Sequence, residues 1–288
     1  MITEERRQAF TYRKRKTKNL IMMASLVLTA IVVLLPLFSI LGYVLVNGAP
    51  GLSWSFFTEM PKPVGEAGGG MLNALSGTIV MIALASAIGV TTGLGAGIYL
   101  SEFPTGWFPN FVRFCAEILT SVPSIVIGLF VYLLIVLPMK RFSAIAGGAA
   151  LGIIMIPIVA RSSEEILKRV PSHMREAGLA LGIPRWKVIL FIVLRGSRKG
   201  VITCVMLAVA RIAGETAPLL FTALNNRFWS WRLDNPMASL PVQIFTYSIA
   251  PFDEWHQQAW TGALVLVGLV LTLNLATRLA TRSEGSSR

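Results

Sequence analysis

The sequence predicts an all-α membrane protein of six transmembrane helices, and three observations carry that expectation. Of its 288 residues 54% are hydrophobic and only 14% charged, and the mean hydropathy is +0.67. A water-soluble core of this length cannot hold so many apolar side chains, so most must face lipid or other helices. The apolar residues also fall into six runs, each within the length of about 17 to 25 residues or more that lets a helix rising about 1.5 Å per residue cross a bilayer, the fourth only just. Finally, the charges collect between those runs and mostly on one side.

The elements follow in order along the chain. Residues 1–19 form a basic tail with Arg6, Arg7, Arg13, Lys14, Arg15, Lys16 and Lys18. The first span, Leu20 to Val46, stands where a secretory signal would, but it is too long and no small-residue cleavage site closes it, so it reads as a permanent anchor. Glu66-Ala67-Gly68-Gly69-Gly70 gives a flexible lead into the second span, Ala74 to Leu100. There Ala85, Gly89, Gly93 and Gly97 recur every four residues, a small-residue stripe that lets two helix backbones approach closely in lipid. The segment Gly93-Leu94-Gly95-Ala96-Gly97 has a superficial likeness to a nucleotide-binding turn; with no strand before it, inside a lipid-length helix, it is read as packing. The third span runs from Ala116 to Leu137 and the fourth, the shortest, from Ala144 to Ala160. A polar loop of residues 161–199 separates these from the fifth span, Gly200 to Leu224, and the sixth is Ala259 to Leu279. Pro123, Pro157 and Pro218 lie in or near span ends, where each removes a backbone hydrogen bond and either shapes a helix or serves as a hinge. Residues 20–280 are one membrane domain, closed by a short tail, 281–288.

Charge sets the orientation. Assigning alternate loops to alternate sides puts the basic tail, the nine Lys/Arg between Arg161 and Lys199, and Arg113, Arg278, Arg282 and Arg288 together, against only Lys62, Lys140, Arg141, Arg227 and Arg232 opposite. By the positive-inside rule both termini are cytoplasmic. The net charge of +12 does not point to nucleic acid, because no aromatic residues interleave with the basic tail as a stacking platform requires. Cys115 and Cys204 lie at different depths, so no disulfide framework is expected. With His173 and His256 the only histidines, no cluster of metal-binding type and neither a Gly-x-Ser-x-Gly nor a His-Glu-x-x-His motif, an intramembrane enzyme has little to work with. External Trp229, Trp231, Trp255 and Trp260 suit an interfacial belt or a docking surface for a partner.

Two constellations carry the functional signal. In the long loop a short helix from Ser172 to Leu181 would present Ala177, Ala180 and Leu181 as a compact apolar face, stopped by Gly182 ahead of Ile183-Pro184. A solvated basic loop accounts for Lys168, Arg169, Arg185 and Lys187 but not for that face, which is built to grip a partner. In the fifth span, Arg211 and Glu215 stand four residues apart in an apolar run, one helical turn from each other and within reach of an ion pair. An arginine at the centre of an isolated membrane helix costs about 2.5 to 3.5 kcal/mol, so it needs a partner or a wet cavity. The pair either neutralises itself or helps pass an anion.

Glu176-Ala177-Gly178, then Gly182, then Ile192-Val193-Leu194 resembles the EAA loop of ABC importer permeases in its spacing throughout. Gly178 stands where a second Ala is usual, and Arg195 where Pro is usual. The stretch Ala210-Arg211-Ile212-Ala213-Gly214-Glu215-Thr216-Ala217-Pro218-Leu219-Leu220-Phe221-Thr222-Ala223 closely resembles the fifth core span of phosphate-specific ABC permeases of the PstA and PstC type. Ser55 to Met60, Glu66 to Leu72, Ala96 to Glu102 and Pro123 to Tyr132 resemble the PstA branch in particular, and the likeness extends over nearly the whole chain. Arg161-Ser162-Ser163-Glu164 is similar to the Arg-Thr-Thr-Glu found there in the family; Arg161 either meets the departing anion or snorkels to the interface.

The resemblance implies the MetI-like fold of type I ABC importer permeases, in a bacterial inner membrane. It further implies a PstC-like second permease, a PstB-like ATPase dimer and a periplasmic PstS-like phosphate-binding protein as partners, beside membrane lipid. Arg211, Glu215, Arg161 and Glu164 would line the translocation path, while Glu176, Ala177, Gly178, Ala180, Leu181 and Gly182 would couple it to the ATPase. No cofactor or metal is implied, and without a Gly-Lys dipeptide to form a phosphate-cradling loop, ATP hydrolysis falls to the partner. Sulfate or molybdate remains the alternative cargo.

Overall fold

In the computed structural model, which describes residues 2–66 and 68–282, the basic tail and the first apolar run form one helix, α1 (Ile2–Gly48). Ala67 and residues 283–288, with Arg288, lie outside the described residues, as do the side chains of residues 1–11, 13 and 280–282 and so of Arg6, Arg7, Arg13 and Arg282. After a single turn, Trp54–Thr58, come α2 (Leu72–Glu102), α3 (Trp107–Ser121), α4 (Ser124–Met139) and α5 (Ala144–Lys168). The long loop contains α6 (Ser172–Ala180), and α7 (Arg198–Ile212), the short α8 (Ala217–Leu220), α9 (Leu240–Ser248) and α10 (Asp253–Arg282) complete the chain. No strand occurs among the described residues.

Four of these segments are long and apolar enough to cross a membrane unbroken, at 14–51, 72–102, 144–168 and 253–279. The expectation of six continuous spans is corrected at the third and fifth. The third is α3 and α4 meeting at an angle of 102°. Pro123 causes the break: it offers no backbone N–H, and the residue before a proline is pushed out of the helical region, which Val122 obeys with ψ at 129°. The fifth stops at Ile212, turns through residues 213–216, resumes for one turn as α8 and leaves the helical path at Leu224, where φ is +57°. Gly214 weakens the helix there. Pro218 stands in the first turn of α8, where a missing N–H costs nothing. Pro157, by contrast, is carried inside α5 without a break, and α5 runs on past Ala160 to Lys168.

The pairing of α2 with α5 is the most extensive in the chain. Ala85, Gly89, Gly93 and Gly97 all face α5 and are buried. A Cβ on Gly93 would stand 2.8 Å from the Ile156 carbonyl oxygen, and one on Gly97 2.7 Å from Ser163 Cβ. Backbone contact this close permits only glycine, the reason the stripe exists. Around the pair Met81, Leu151, Met155, Val159, Ala208, Ile212 and Leu219 form the main core. Gly128 of α4 lies against Pro218, where a Cβ would be 2.6 Å from the proline Cα, so the broken third span rests on the break of the fifth. Residues 225–238 fold over the start of α5, whose Ala144 and Ile145 N–H groups donate to the carbonyls of Asn235 and Leu233. The N–H groups that a helix start leaves unpaired are thereby used.

The end of α1 is tied to α10 by Tyr43 edge-on to Trp260 (5.1 Å), Gln257 donating to the Asn47 carbonyl (2.8 Å) and Thr261 to that of Gly48 (3.1 Å). From Leu20 to Ile40 its apolar side chains face outward.

Candidate functional site

The loop helix α6 presents the face its sequence implies. Ala177, Ala180 and Leu181 are exposed, Leu181 to 81%, together with Glu176. Gly182 ends the helix with φ at +74°; its N–H donates to the Leu179 carbonyl and that of Ile183 to the Gly178 carbonyl, the paired bonds of a left-handed glycine stop. Gly178 differs from expectation. It is buried against the wide π-type turns of Val188–Leu194, where a Cβ would lie 2.7 Å from Ile192 Cδ1, so it seats α6 and lies outside the exposed face. Arg175, on the same helix, donates to Glu102 at the end of α2 (3.0 Å).

A second cluster surrounds Glu164, which is 2% exposed in α5. Its carboxylate accepts from Lys168 Nζ at 2.6 Å and Arg113 Nε at 2.7 Å, with Arg161 at 3.5 Å, and Arg161 also reaches Glu117 at 3.0 Å. Arg113 spends its remaining donors on the Leu100 and Pro104 carbonyls and Asn110. A buried carboxylate stays ionised only with such partners. Sequence reasoning placed Arg161 and Glu164 but missed Arg113 and Glu117. The available signal was their i, i+4 spacing beside the apolar stripe of Trp107, Phe111, Phe114 and Ile118.

Arg211 and Glu215 are not brought together. Among the described residues no ion pair joins them. The i, i+4 relation needs a continuous helix, and α7 ends at Ile212, so Glu215 lies half-buried in the following turn with its N–H donated to the Ile212 carbonyl. Arg211 is exposed at the helix end. It lies seven residues, about 10 Å along the axis, beyond Cys204, whose sulfur touches Ser163 in the Arg161 region at 3.8 Å. The backbone positions of Arg161 and Arg211 thus stand at different heights.

On the opposite side Arg141 pairs with Asp234 at 2.9 Å, and the hydrogen bond from the neighbouring Arg232 holds that half-buried carboxyl below the usual aspartate range. Trp229 and Trp231 meet edge-on and Trp231 is 66% exposed. Trp255 is buried instead, stacked on Tyr247 at 4.5 Å beneath the Arg227 guanidinium, and so forms no part of an interfacial belt. Among the described residues no group of His, Cys, Asp and Glu has the geometry to hold a metal ion.

Residues 89–283 match the family of binding-protein-dependent transport system inner membrane components. The chain is 45% identical over 281 residues to the phosphate transport system permease protein PstA of Yersinia pestis, covering 96% of this chain and 94% of that one. It is 45% identical to the Haemophilus influenzae protein of the same name, at 92% and 94% coverage, and 35% identical to the probable PstA of Methanocaldococcus jannaschii, at 87% and 89%. Its fold matches the MetNI methionine ABC transporter in an inward-facing form with a TM-score of 0.59 at 17% identity, over 74% of this chain and 93% of that one. An amino acid ABC transporter matches at a TM-score of 0.56 and 18% identity, over 74% and 92%.

Proposed function

Because the chain belongs to the binding-protein-dependent transport system inner membrane components, and within them to the PstA phosphate permeases, we propose that it is the permease through which an ATP-driven importer carries phosphate across a bacterial inner membrane. The near full-length likeness to relatives named for phosphate transport is the observation that supports the cargo. The same likeness supports a PstC-like second permease as the other half of the path, a PstB-like ATPase dimer and a PstS-like binding protein that delivers phosphate. The Lys/Arg distribution supports cytoplasmic termini.

The residues give this reading a chemistry. An oxyanion crossing hydrocarbon needs positive charge along its route but no deep well, since tight holding prevents release. Arg211, exposed and unengaged by Glu215, offers its guanidinium to the anion from one height. Arg161 offers a second, already occupied by Glu117 and Glu164, so an anion arriving there exchanges with a carboxylate and is held only weakly. The ATPase lies in a separate subunit and meets the exposed face of α6, where Ala177, Ala180 and Leu181 fit a closely matched groove and Gly182 ends the contact.

The test is uptake by the complex reconstituted in proteoliposomes with its binding protein, which should take up labelled phosphate only with ATP. Uptake of sulfate or molybdate in place of phosphate transfers the same architecture to the alternative cargo, and uptake indifferent to ATP removes the importer reading.

A further inference from the structure

Two arginines of the loop close on the last turn of α2. Arg175, midway along α6, donates its Nε to Glu102 Oε1 at 3.0 Å, one terminal nitrogen to the Leu167 carbonyl at 2.9 Å and the other to the Val170 carbonyl. Leu167 lies in the last turn of α5 and its carbonyl already accepts from the Val170 N–H at 3.2 Å, so the fork adds a side-chain bond to that helix end. The pair is largely withdrawn from water, the Glu102 side chain being 6% and the Arg175 side chain 19% exposed. Arg185, past the turn at Gly182, donates to the Glu102 carbonyl at 2.8 Å and lays its guanidinium 4.4 Å from the centre of the Phe103 ring. Cations at a helix C-terminus are favoured by its dipole as well as by the orphan carbonyls.

These bonds join α6 to helices that are already joined to each other. Gly89, Gly93 and Gly97 put α2 and α5 in backbone contact, and so close a packing shifts as a body and does not slide. The contacts of α6 toward α7 are different in kind. They are apolar, through Gly178 on Val188 and Ile192, and the chain beyond them passes through exposed Arg195 and Gly196.

We propose that Arg175 and Glu102 are positioning residues that fasten α6 to the α2–α5 pair, so that motion imposed on α6 by the ATPase passes directly to the two most closely packed spans. The inference rests on the reading of α6 as the ATPase contact. Glu102 and Arg175 touch neither phosphate nor nucleotide; they set how much anion moves per ATP.

The test uses the full complex in proteoliposomes and reads ATPase association, ATP hydrolysis and phosphate moved per ATP. Glu102→Gln and Arg175→Lys keep the ATPase bound and hydrolysing, while phosphate per ATP falls on the order of tenfold, the equilibrium shift expected from losing one hydrogen bond to a charged group. A wild-type ratio in both variants overturns the proposal. A second measurement does not depend on the ion pair being dispensable for assembly. In a Cys115→Ser, Cys204→Ala background, Glu102→Cys with Arg175→Cys loses transport per ATP and regains it when a bis-maleimide bridges the two thiols. A bridged complex that hydrolyses ATP but moves no phosphate shows that the two residues must separate during the cycle, and the fastening is refuted. Ala177→Asp keeps the two readings apart: if it couples normally, α6 is not the ATPase contact, whereas if it uncouples while Glu102→Gln does not, only the fastening fails.

Discussion

Glu164 answers to three cations at once, which makes it the most constrained charge in the described chain. Replacing it by glutamine leaves Arg113, Arg161 and Lys168 facing one another around a neutral group. Lys168 and Arg161 reach water and recover part of the loss, so the expected destabilisation is about 1.5–3 kcal/mol, the range for a hydrogen bond to a charged group, and not the larger cost of a fully buried orphan charge. The purified complex of Glu164→Gln should therefore unfold at a lower temperature than wild type; an unchanged midpoint means that the cluster contributes nothing to stability. Arg211 obeys the opposite logic, being exposed and without an ion pair to Glu215. Arg211→Gln should assemble normally and lose most phosphate uptake, and Glu215→Gln should also assemble normally, since no buried partner is orphaned. Wild-type uptake by Arg211→Gln takes Arg211 out of the path, and collapse of Glu215→Gln argues for a pairing in another state of the cycle.

The helix stop at Gly182 can be tested without touching any contact. A Cβ there meets nothing within 4 Å, so only the φ of +74° resists substitution. The left-handed region costs an ordinary residue about 1–2 kcal/mol and asparagine less. ATPase association should fall in the order Gly, Asn, Ala, Val at position 182, measured by co-purification; asparagine binding worse than valine would contradict the conformational account. Gly93 is constrained by space instead. Gly93→Leu must push Val159 and the Ile156 carbonyl aside, an overpacking expected to cost about 1–3 kcal/mol. Its effect should appear as a lowered unfolding temperature and poor assembly, while Gly95→Ala, which faces open space two residues on, should leave both unchanged.

For the whole molecule, the outward apolar length of α1 and the open faces of α3 and α7 are surfaces for lipid and, on the proposed function, for a second permease to cover. Co-expression with the PstC-like permease should raise the amount of monodisperse protein recovered in detergent, and equal recovery of the chain alone would mean that lipid suffices. The positive-inside rule makes orientation a property of the entire sequence: if the basic loop and tail are both cytoplasmic as proposed, protease added to inside-out vesicles should cut the 161–199 loop, and protection of the loop would reverse the orientation.

Much of this was legible without coordinates because membrane physics acts on one-dimensional features. Hydrophobic runs of lipid length, the four-residue stripe of α2 and the glycine stop of α6 each express a local requirement that adjacent residues alone can meet. The breaks at Val122 and Ile212 were less legible, since a proline or a glycine in an apolar run weakens the helix without specifying the angle that results. What only the tertiary structure decided is which charges meet. Glu164 finds Arg113 from a helix 51 positions away, Arg175 finds Glu102 across 73, and Arg211 does not find Glu215 although only four residues separate them. Pairing depends on where helices stop and which faces they turn to each other, and those follow from packing in three dimensions.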